Sequence, residues 1–413
     1  MSCHNKSIKL VVVAGPVGTT PREMSRAFIF DEAFMLAKKG LTVHVVRSSL
    51  FDHSYEVSYG IHFHNLGGYI SLDAFRMVIK NLPKYPAPSL LRKIYLIYWE
   101  NLYASRVTTI IRRTNATIIH AHFAYPEGFV GLLAKRETKR PLVISVWGRD
   151  VQADPDSGYG ALTSRRTADL VREALSNADA IIASALNHYW TVIKLIGDHE
   201  RQKVFYLPPG IDTSRFHPSI NGSVVRRVLG IQEDQNIVLF PKHLHRIYGV
   251  ELLIRAASKV VKEHPNTIFL ILGDGPLLSY LKSLTNNLGI ERNVRFVGQV
   301  PRSLMPFFYA ASDIVVDPTI FGQGYAALEA MACGKPVIGF RTGQVKIADK
   351  LSGYLVEPYD IEALADNIAL LLGDPELRRQ MGKNARMYVE RNFSLERRIN
   401  MLINIYDRIL GQL

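Results

Sequence analysis

Short apolar runs alternate along the chain with longer stretches of helical periodicity. The apolar runs comprise residues 8–14, 41–46, 117–121, 141–146, 179–184 and 203–207 in the first half, and residues 236–240, 267–272, 294–300, 314–316 and 337–340 in the second. Short continuous runs of this kind are typical of parallel strands that helices cover on both faces. The pattern therefore predicts an α/β protein built from parallel sheets.

The stretches between these runs have the character of helices. Residues 22–39 carry apolar side chains at helical spacing, and further helices are predicted at 90–113, 325–332, 360–372, 376–391 and 395–410. Gly40 and Gly334 mark helix ends, because glycine favours the C-terminal cap. The order strand, helix, strand at the beginning of the chain indicates a doubly wound fold.

The stretch 312–344 carries the most chemical information. Its first strand leads into a loop with Gly322 and Gly324, then into a helix that contains Glu329, and then into a second strand. Glycines let a ligand approach the backbone, and the free N–H groups at a helix start favour an anion. The stretch predicts either an anion-binding βαβ unit or an ordinary βαβ unit with an exposed glutamate.

Length and composition narrow the class of protein. A chain of 413 residues is long enough for two domains, each with its own core. No apolar run reaches the ~20 residues that span a bilayer, and residues 8–14 are too short for the core of a signal peptide. The two cysteines exclude a disulfide scaffold and a four-cysteine zinc site. We therefore expect a cytoplasmic chain.

The net charge of +13 lies mainly in residues 1–218. Such a charge attracts nucleic acid, an anionic membrane or phosphorylated substrates, and the absence of a nucleic-acid motif favours the last two. Residues 71–113 are rich in aromatic and basic side chains. That region is interpreted either as helices packed on the sheet or as a membrane-surface face or apolar acceptor channel.

Two groups of titratable residues follow apolar runs. His120 and His122 would share one side of a strand that continues through both. The sequence offers too few neighbouring ligands for a metal centre there. In the second half, Lys242, His243 and Arg246 crowd the loop after the first apolar run. That loop is either a solvated basic turn or a grip for phosphate groups.

Three segments resemble the signature of family 4 glycosyltransferases, which have the GT-B architecture. They are residues 328–338 (LEAMACGKPVI), 120–128 (HAHFAYPEG) and 210–218 (GIDTSRFHP), and the resemblance extends over nearly the whole chain. It implies two Rossmann-like doubly wound domains that face a cleft. The acceptor-side domain would comprise 1–218 and the nucleotide-sugar-binding domain 219–394, with a helix at 395–413 that crosses back to the first domain.

The resemblance also implies roles for individual residues. The catalytic set is His122, which faces the donor sugar, with Lys242 and Arg246, which hold the two phosphates; an ungapped alignment favours His243. Glu329 binds the ribose of the nucleotide sugar. The remaining donor contacts are expected at the glycine loop and its helix start, the turn near the base, the first loop and the segment that resembles His-Gly-x-Asp: Gly322, Gly324, Tyr325, Ala326, Gly298, Gly15, Gly18 and Asp150.

Three positions depart from the family pattern. Phe321 stands where the first glutamate of the motif, which touches the donor sugar, is expected. Trp147 replaces a histidine near the acceptor, and Tyr248 replaces a lysine that precedes a glycine. The handling of the donor sugar is therefore left open.

The resemblance implies a retaining glycosyltransferase that moves a sugar from a nucleoside-diphosphate sugar to a glycan or lipid-linked acceptor. It implies no metal and no cofactor, since basic side chains and helix N-termini would neutralise the diphosphate. We expect peripheral association with the inner face of an anionic membrane, and no binding of nucleic acid. The alternatives are a non-catalytic sugar-nucleotide-binding partner subunit and a GT-B nucleotide-sugar epimerase.

Overall fold

The computed structural model describes residues 8–15, 27–48, 54–66, 90–154, 158, 160–320, 324–342 and 346–411, with the backbone alone at residue 48 and residues 90–98. The chain divides into two compact units, Met1–Pro208 together with Ile399–Leu413, and Pro209–Arg398. Each unit contains one sheet in which parallel pairing dominates. The predicted α/β class is therefore confirmed.

The first unit is organised around an eight-stranded sheet. Its strands are β1 (Lys9–Ala14), β2 (Thr42–Ser48), β3 (Tyr55–Ser58), β4 (Ile61–Leu66), β5 (Ile118–His122), β6 (Leu142–Val146), β7 (Ala180–Ala183) and β8 (Val204–Tyr206). Their order is β3-β4-β2-β1-β5-β6-β7-β8, and every neighbouring pair is parallel except β3 with β4. Strands β5, β6 and β7 are buried along their whole length, which explains their continuous apolar character.

Helices cover both faces of this sheet. They are α1 (Ala27–Lys38), α2 (Leu90–Thr114), α3 (Phe129–Thr138), α4 (Arg165–Ser176) and α5 (Leu186–Ile196). On α2, the buried hydroxyl of Tyr103 lies 2.7 Å from the carbonyl oxygen of Ala14 and 2.9 Å from that of Val46. This contact favours helix packing for the part of the aromatic, basic region that the structure describes; residues 71–89 lie outside it.

The second unit contains a six-stranded, fully parallel sheet. Its strands are β9 (Asn236–Pro241), β10 (Thr267–Leu272), β11 (Val294–Gly298), β12 (Ile314–Asp317), β13 (Val337–Phe340) and β14 (Gly353–Val356), in the order β11-β10-β9-β12-β13-β14. The helices are α6 (Ser223–Val228), α7 (Val250–Glu263), α8 (Leu278–Asn287), α9 (Met305–Ala311), α10 (Tyr325–Ala332), α11 (Ile361–Gly373), α12 (Pro375–Asn392) and α13 (Leu395–Ile409). Helix α13 begins in this unit, and its part from Ile399 onward belongs to the first unit.

The strand orders define where each unit can bind a ligand. In the first sheet the chain proceeds outward from β1 in one direction and from β5 in the other, and in the second sheet it does the same from β9 and β12. Helices on opposite faces leave a crevice at the carboxyl ends of such strand pairs. The predicted residues His122 and Lys242 lie at these two places, at the end of β5 and directly after β9.

Some elements differ from the sequence-based prediction. Strands β3, β4 and β14 were not predicted. Strands β3 and β4 are not continuous apolar runs, since β4, for example, reads IHFHNL, and β14 reads GYLV, in which only three apolar residues follow a glycine. Helix α10 has the predicted bounds, whereas the predicted helix at 22–39 is described from Ala27 onward. Among the helices that the structure describes, none combines the length and the apolar character that crossing a membrane requires.

Candidate active site

Lys242 lies at the carboxyl end of β9, beside the carboxyl end of β12. Its Nζ is 2.7 Å from Oδ1 of Asp317, the last residue of β12, and it donates a hydrogen bond of 2.6 Å to Oγ1 of Thr319. The hydroxyl of Thr319 donates in turn to Oδ1 of Asp317. The ammonium group also lies 5.3 Å from the centre of the Tyr248 ring. Lys242 is thus held at the switch point of the second sheet by a buried carboxylate.

Close packing of two loops fixes this arrangement. Gly249 follows the turn Arg246–Tyr248 and has a φ of +69°, and a Cβ atom there would lie 2.4 Å from the carbonyl oxygen of Pro318. The backbone N–H of Ile320 donates to the carbonyl of Ile247 at 2.8 Å. Only glycine allows the loop after β9 to approach the loop after β12 this closely.

The other basic residues predicted on this loop point to solvent. His243 and Arg246 are exposed, whereas Lys242 is only partly accessible. His245 caps the turn, since its Nδ1 accepts a hydrogen bond of 3.4 Å from the backbone N–H of Ile247. The structure therefore brings Lys242, but neither His243 nor Arg246, into contact with Asp317.

Glu329 lies on α10, which follows β12 and its glycine loop. Its Oε2 accepts a hydrogen bond of 3.0 Å from the hydroxyl of Tyr309, and its Oε1 is 3.6 Å from an amino group of Arg302. Burial and the neighbouring carboxylate of Glu329 raise the pKa of Tyr309 well above its usual value, so this hydroxyl keeps its proton and donates. Glu329 is a buried, oriented acceptor rather than an exposed glutamate.

The other residues predicted to contact the donor in the second unit lie at the carboxyl ends of the strands. Gly324 precedes α10, and Tyr325 and Ala326 begin it. Gly298 ends β11 and accepts a backbone hydrogen bond of 2.7 Å from Gly273. Because all six strands are parallel, these residues lie at the same end of the sheet as Lys242, where the strands have their carboxyl ends. Gly322 and Phe321 lie outside the described residues.

His122 ends β5 in the first unit and is buried. Its Nδ1 accepts a hydrogen bond of 3.2 Å from the indole Nε1 of Trp147, and its Nε2 lies 3.4 Å from Oε1 of Glu32 on α1. An indole N–H can only donate, so neutral His122 carries its proton on Nε2 and directs it toward Glu32. The predicted contact of this ring with a donor sugar would require one of these two partners to be exchanged.

His120 shares a side of β5 with His122, as the spacing predicts. Its Nδ1 lies 2.7 Å from the hydroxyl of Tyr406, its Nε2 lies 2.8 Å from Oγ of Ser145, and the ring is 4.4 Å from that of His122. The ligand atoms of Glu32, His120 and His122 lie within 4.8 Å of one another, which is a spacing that a metal ion could use. The proton on Nε2 of His122 opposes metal binding, because that nitrogen then has no lone pair to offer.

Asp150 anchors two loops at the carboxyl ends of β5 and β6. Its Oδ2 accepts from the backbone N–H of Ala124 at 2.8 Å, and its Oδ1 accepts from those of Trp147 at 3.0 Å and Gly148 at 2.9 Å. Burial raises the pKa of Asp150 to about 6, although the backbone hydrogen bonds oppose the shift. Asp150 was predicted to contact the donor, but both of its carboxylate oxygens accept hydrogen bonds from the backbone of its own unit. Gly15 follows β1 and is buried; Gly18 lies outside the described residues.

Several residues of these sites were missed by sequence reasoning. Glu32 is a carboxylate among apolar residues of α1, and Asp317 directly follows an apolar run. At both positions the sequence therefore shows a carboxylate in an apolar context. Arg302 and Tyr406 left no such signal, because their partners are distant in the sequence and only the fold brings them together.

Comparisons with known proteins identify the class. The profile described as "Glycosyltransferase Family 4" matches residues 27–215, and that described as "Glycosyl transferases group 1" matches residues 223–388. The solved structure of sucrose-phosphate synthase from Thermosynechococcus elongatus is similar over 98% of this chain and 100% of that chain, with a TM-score of 0.78 and 20% identity. The fold and site define a glycosyltransferase with the GT-B architecture.

Two relatives place the chain more closely. A GDP-mannose-dependent alpha-(1-6)-phosphatidylinositol monomannoside mannosyltransferase of Mycolicibacterium smegmatis is 28% identical over 304 residues, 71% of this chain and 77% of its own. A D-inositol 3-phosphate glycosyltransferase of Corynebacterium jeikeium is 30% identical over 309 residues, 71% of this chain and 72% of its own. The chain belongs to the group 1 glycosyltransferases of family 4. The prediction of an enzyme that transfers a sugar is thereby confirmed.

Proposed function

We propose that this enzyme transfers a hexose from a nucleoside-diphosphate sugar to a polyol, glycan or lipid-linked acceptor, retains the anomeric configuration and requires no metal. The observation that carries the proposal is the position of Lys242. It follows the first strand of the second sheet, at the switch point where doubly wound units bind nucleotides. Its ammonium group is oriented there by Asp317 and Thr319.

In this proposal Lys242 stabilises the leaving group. Negative charge develops on the diphosphate as its bond to the sugar breaks, and a preoriented ammonium group stabilises that charge more in the transition state than in the ground state. Arg246, which is exposed on the same turn, adds a second positive charge. Such groups would take the part that a divalent cation plays in other transferases.

Glu329 has the chemistry to recognise the nucleoside. A carboxylate can accept two hydrogen bonds from neighbouring hydroxyl groups, which a ribose presents. Tyr309 and Arg302 orient the carboxylate, so it would bind with little loss of side-chain entropy.

The acceptor is proposed from chemistry and from relatives. The relatives described above carry names that specify a phosphatidylinositol mannoside and an inositol phosphate, both of which are anionic. A net charge of +13 favours anionic acceptors, and it would also favour an anionic membrane surface. We therefore propose an acceptor with a phosphate group or one that is presented at such a surface.

The test is nucleotide binding and transfer by Lys242→Met, which keeps the length of the side chain and removes its charge. UDP-, GDP- and ADP-sugars are screened by thermal shift, since a ligand of the folded state raises its stability. We expect the variant to bind the preferred nucleotide about tenfold or more weakly, because one charge-assisted contact to phosphate is lost. Sugar transfer by the unmodified enzyme should persist in EDTA.

The matched control is Lys259→Met, which removes an exposed lysine that pairs with Glu362 in the same unit. It should leave nucleotide affinity unchanged. Equal affinity of Lys242→Met and the unmodified enzyme would refute the role of Lys242, and loss of transfer in EDTA would refute metal independence.

A further inference from the structure

The lysine proposed to bind the diphosphate already has a buried counter-ion. The side chain of Asp317 has no exposed surface, and that of Lys242 is 10% exposed. Two aspartates flank the short strand β12. Asp313 lies just before the strand, and Asp317 is its last residue. The two carboxylates differ in their hydrogen bonds, and the pattern at Asp317 is unlike that of a carboxylate whose role is only structural.

Asp313 has a positively charged partner at each of its two oxygens. Its Oδ2 accepts from Arg226 at 3.2 Å and from the backbone N–H of Ile237 at 2.8 Å, and its Oδ1 lies 3.7 Å from Arg378. Asp317, in contrast, places both Lys242 and Thr319 on Oδ1. Its Oδ2 has no hydrogen-bond partner among the described residues. A structural ion pair would use both oxygens, because an unsatisfied buried oxygen costs stability.

We propose that Asp317 is a built-in counter-ion that competes with the donor diphosphate for Lys242 and thereby sets the affinity for nucleoside diphosphates. This inference rests on the proposed function, since it requires that Lys242 binds the diphosphate. A carboxylate 2.7 Å from the ammonium group offsets part of the attraction that a phosphate would otherwise experience. The bound phosphate must therefore share Lys242 with Asp317 or displace it.

Competition for Lys242 affects the release of the nucleoside diphosphate as well as its binding. If a diphosphate draws Lys242 away, the fully buried Asp317 keeps Thr319 as its one hydrogen-bond donor among the described residues. A buried charge with one remaining hydrogen bond is unfavourable, and this penalty is subtracted from the binding free energy. Asp317 thus weakens the hold on the nucleoside diphosphate that remains after transfer and favours its release.

The test is the affinity of the full chain for UDP and GDP, measured by calorimetry, with Asp317→Asn. The substitution keeps the shape of the side chain and removes its charge. We expect Kd for the preferred diphosphate to fall about tenfold, with stronger product inhibition of transfer, because Lys242 then lacks its competitor. Asp317→Ser removes the same charge from a smaller side chain, and should also tighten binding if Asp317→Asn fails to fold.

Two further variants make the outcome specific. Asp313→Asn removes a carboxylate at the other end of β12, and should lower stability without changing Kd. In the Lys242→Met background, Asp317→Asn should change Kd by a smaller factor than in the unmodified enzyme, because the competition acts through Lys242. Unchanged or weaker binding by both Asp317 variants overturns the inference. Unchanged binding by Lys242→Met would instead overturn the proposed function.

Discussion

The carboxylate of Asp150 has a structural task that the sequence did not indicate. The segment around it resembles a family motif, which suggested a contact with the donor. In the structure it accepts backbone hydrogen bonds from Ala124, Trp147 and Gly148, and only 2% of its surface is exposed. Its chemistry is that of an anchor between the loops after β5 and β6.

Asp150 predicts a pH dependence of stability. Its pKa is raised by burial to about 6 in the folded chain, against an ordinary value of 3.8. The folded chain therefore binds this proton more tightly, and the contribution of Asp150 to the free energy of unfolding is full below about pH 4 and falls as pH rises through 6. Asp150→Asn abolishes this contribution. In urea unfolding, the difference in stability between native chain and variant should shrink by about 3 kcal/mol from pH 4 to 7.

The matched control is Asp212→Asn, which removes a half-buried turn carboxylate that accepts from the backbone N–H groups of Ser214 and Arg215. Its stability relative to the native chain should vary much less over the same range. A difference between native chain and Asp150→Asn that stays constant with pH would show that Asp150 is not the titrating group.

At the scale of elements, the position of Lys242 depends on how two loops pack. The turn Arg246–Tyr248 ends at Gly249, whose φ of +69° and close approach to Pro318 hold the loop after β9 against the loop after β12. Local sequence predicts a turn here. It does not predict which other loop the turn must approach, since that depends on the order of strands in the sheet.

Gly249→Ala tests this packing. The added Cβ would lie 2.4 Å from the carbonyl oxygen of Pro318, so the two loops must separate. We expect a loss of about 2–4 kcal/mol in the free energy of unfolding, from left-handed strain plus overpacking. Nucleotide affinity should fall as well, because Lys242 lies on the loop after β9, and displacement of that loop moves its ammonium group away from the switch point.

Gly230→Ala is the matched control. Gly230 has a φ of +59°, and a Cβ added there would have no atom within 4 Å, so it shares the strain without the clash. It should cost about 1 kcal/mol and leave nucleotide affinity unchanged. Similar effects of the two variants would show that the approach of the two loops is not needed for the site.

At the scale of the whole molecule, the C-terminal helix contributes to the core of the first unit. Helix α13 starts in the second unit, but its part from Ile399 onward belongs to the first. Ile399, Leu402 and Tyr406 are fully buried there, and the hydroxyl of Tyr406 lies 2.7 Å from Nδ1 of His120. The buried face of α13 from Ile399 to Tyr406 is therefore part of the first unit's interior.

Removal of residues 399–413 should unfold the first unit. Each buried apolar side chain contributes about 1.5–3 kcal/mol, and the loss of several exceeds the stability of a typical domain. Circular dichroism and limited proteolysis of the truncated chain would measure this. Tyr406→Phe keeps the buried ring and removes only the hydroxyl, so it should fold and lose about 1–3 kcal/mol. A truncated chain with an intact first unit would contradict the prediction.

The elements and the family could be read from local patterns. Apolar runs and helical spacing predicted most strands and helices, because each pattern depends on neighbours along the chain. The segments around His120 and Glu329 carried the resemblance to glycosyltransferases, which the comparisons confirmed. Strand β4 was missed because its alternation of apolar and polar residues, as at His62 and His64, does not form an apolar run.

The amino-acid sequence alone determined the alternation of strands and helices, the α/β class and the enzyme family. Only the tertiary structure decided which charged groups meet. Lys242 and Thr319 are 77 residues apart in sequence, and Tyr406 and His120 are 286 apart. The reason is physical: the pattern of apolar residues along the chain indicates where helices and strands lie, whereas the partner of a buried charge depends on the order of strands and on the packing of the loops that join them.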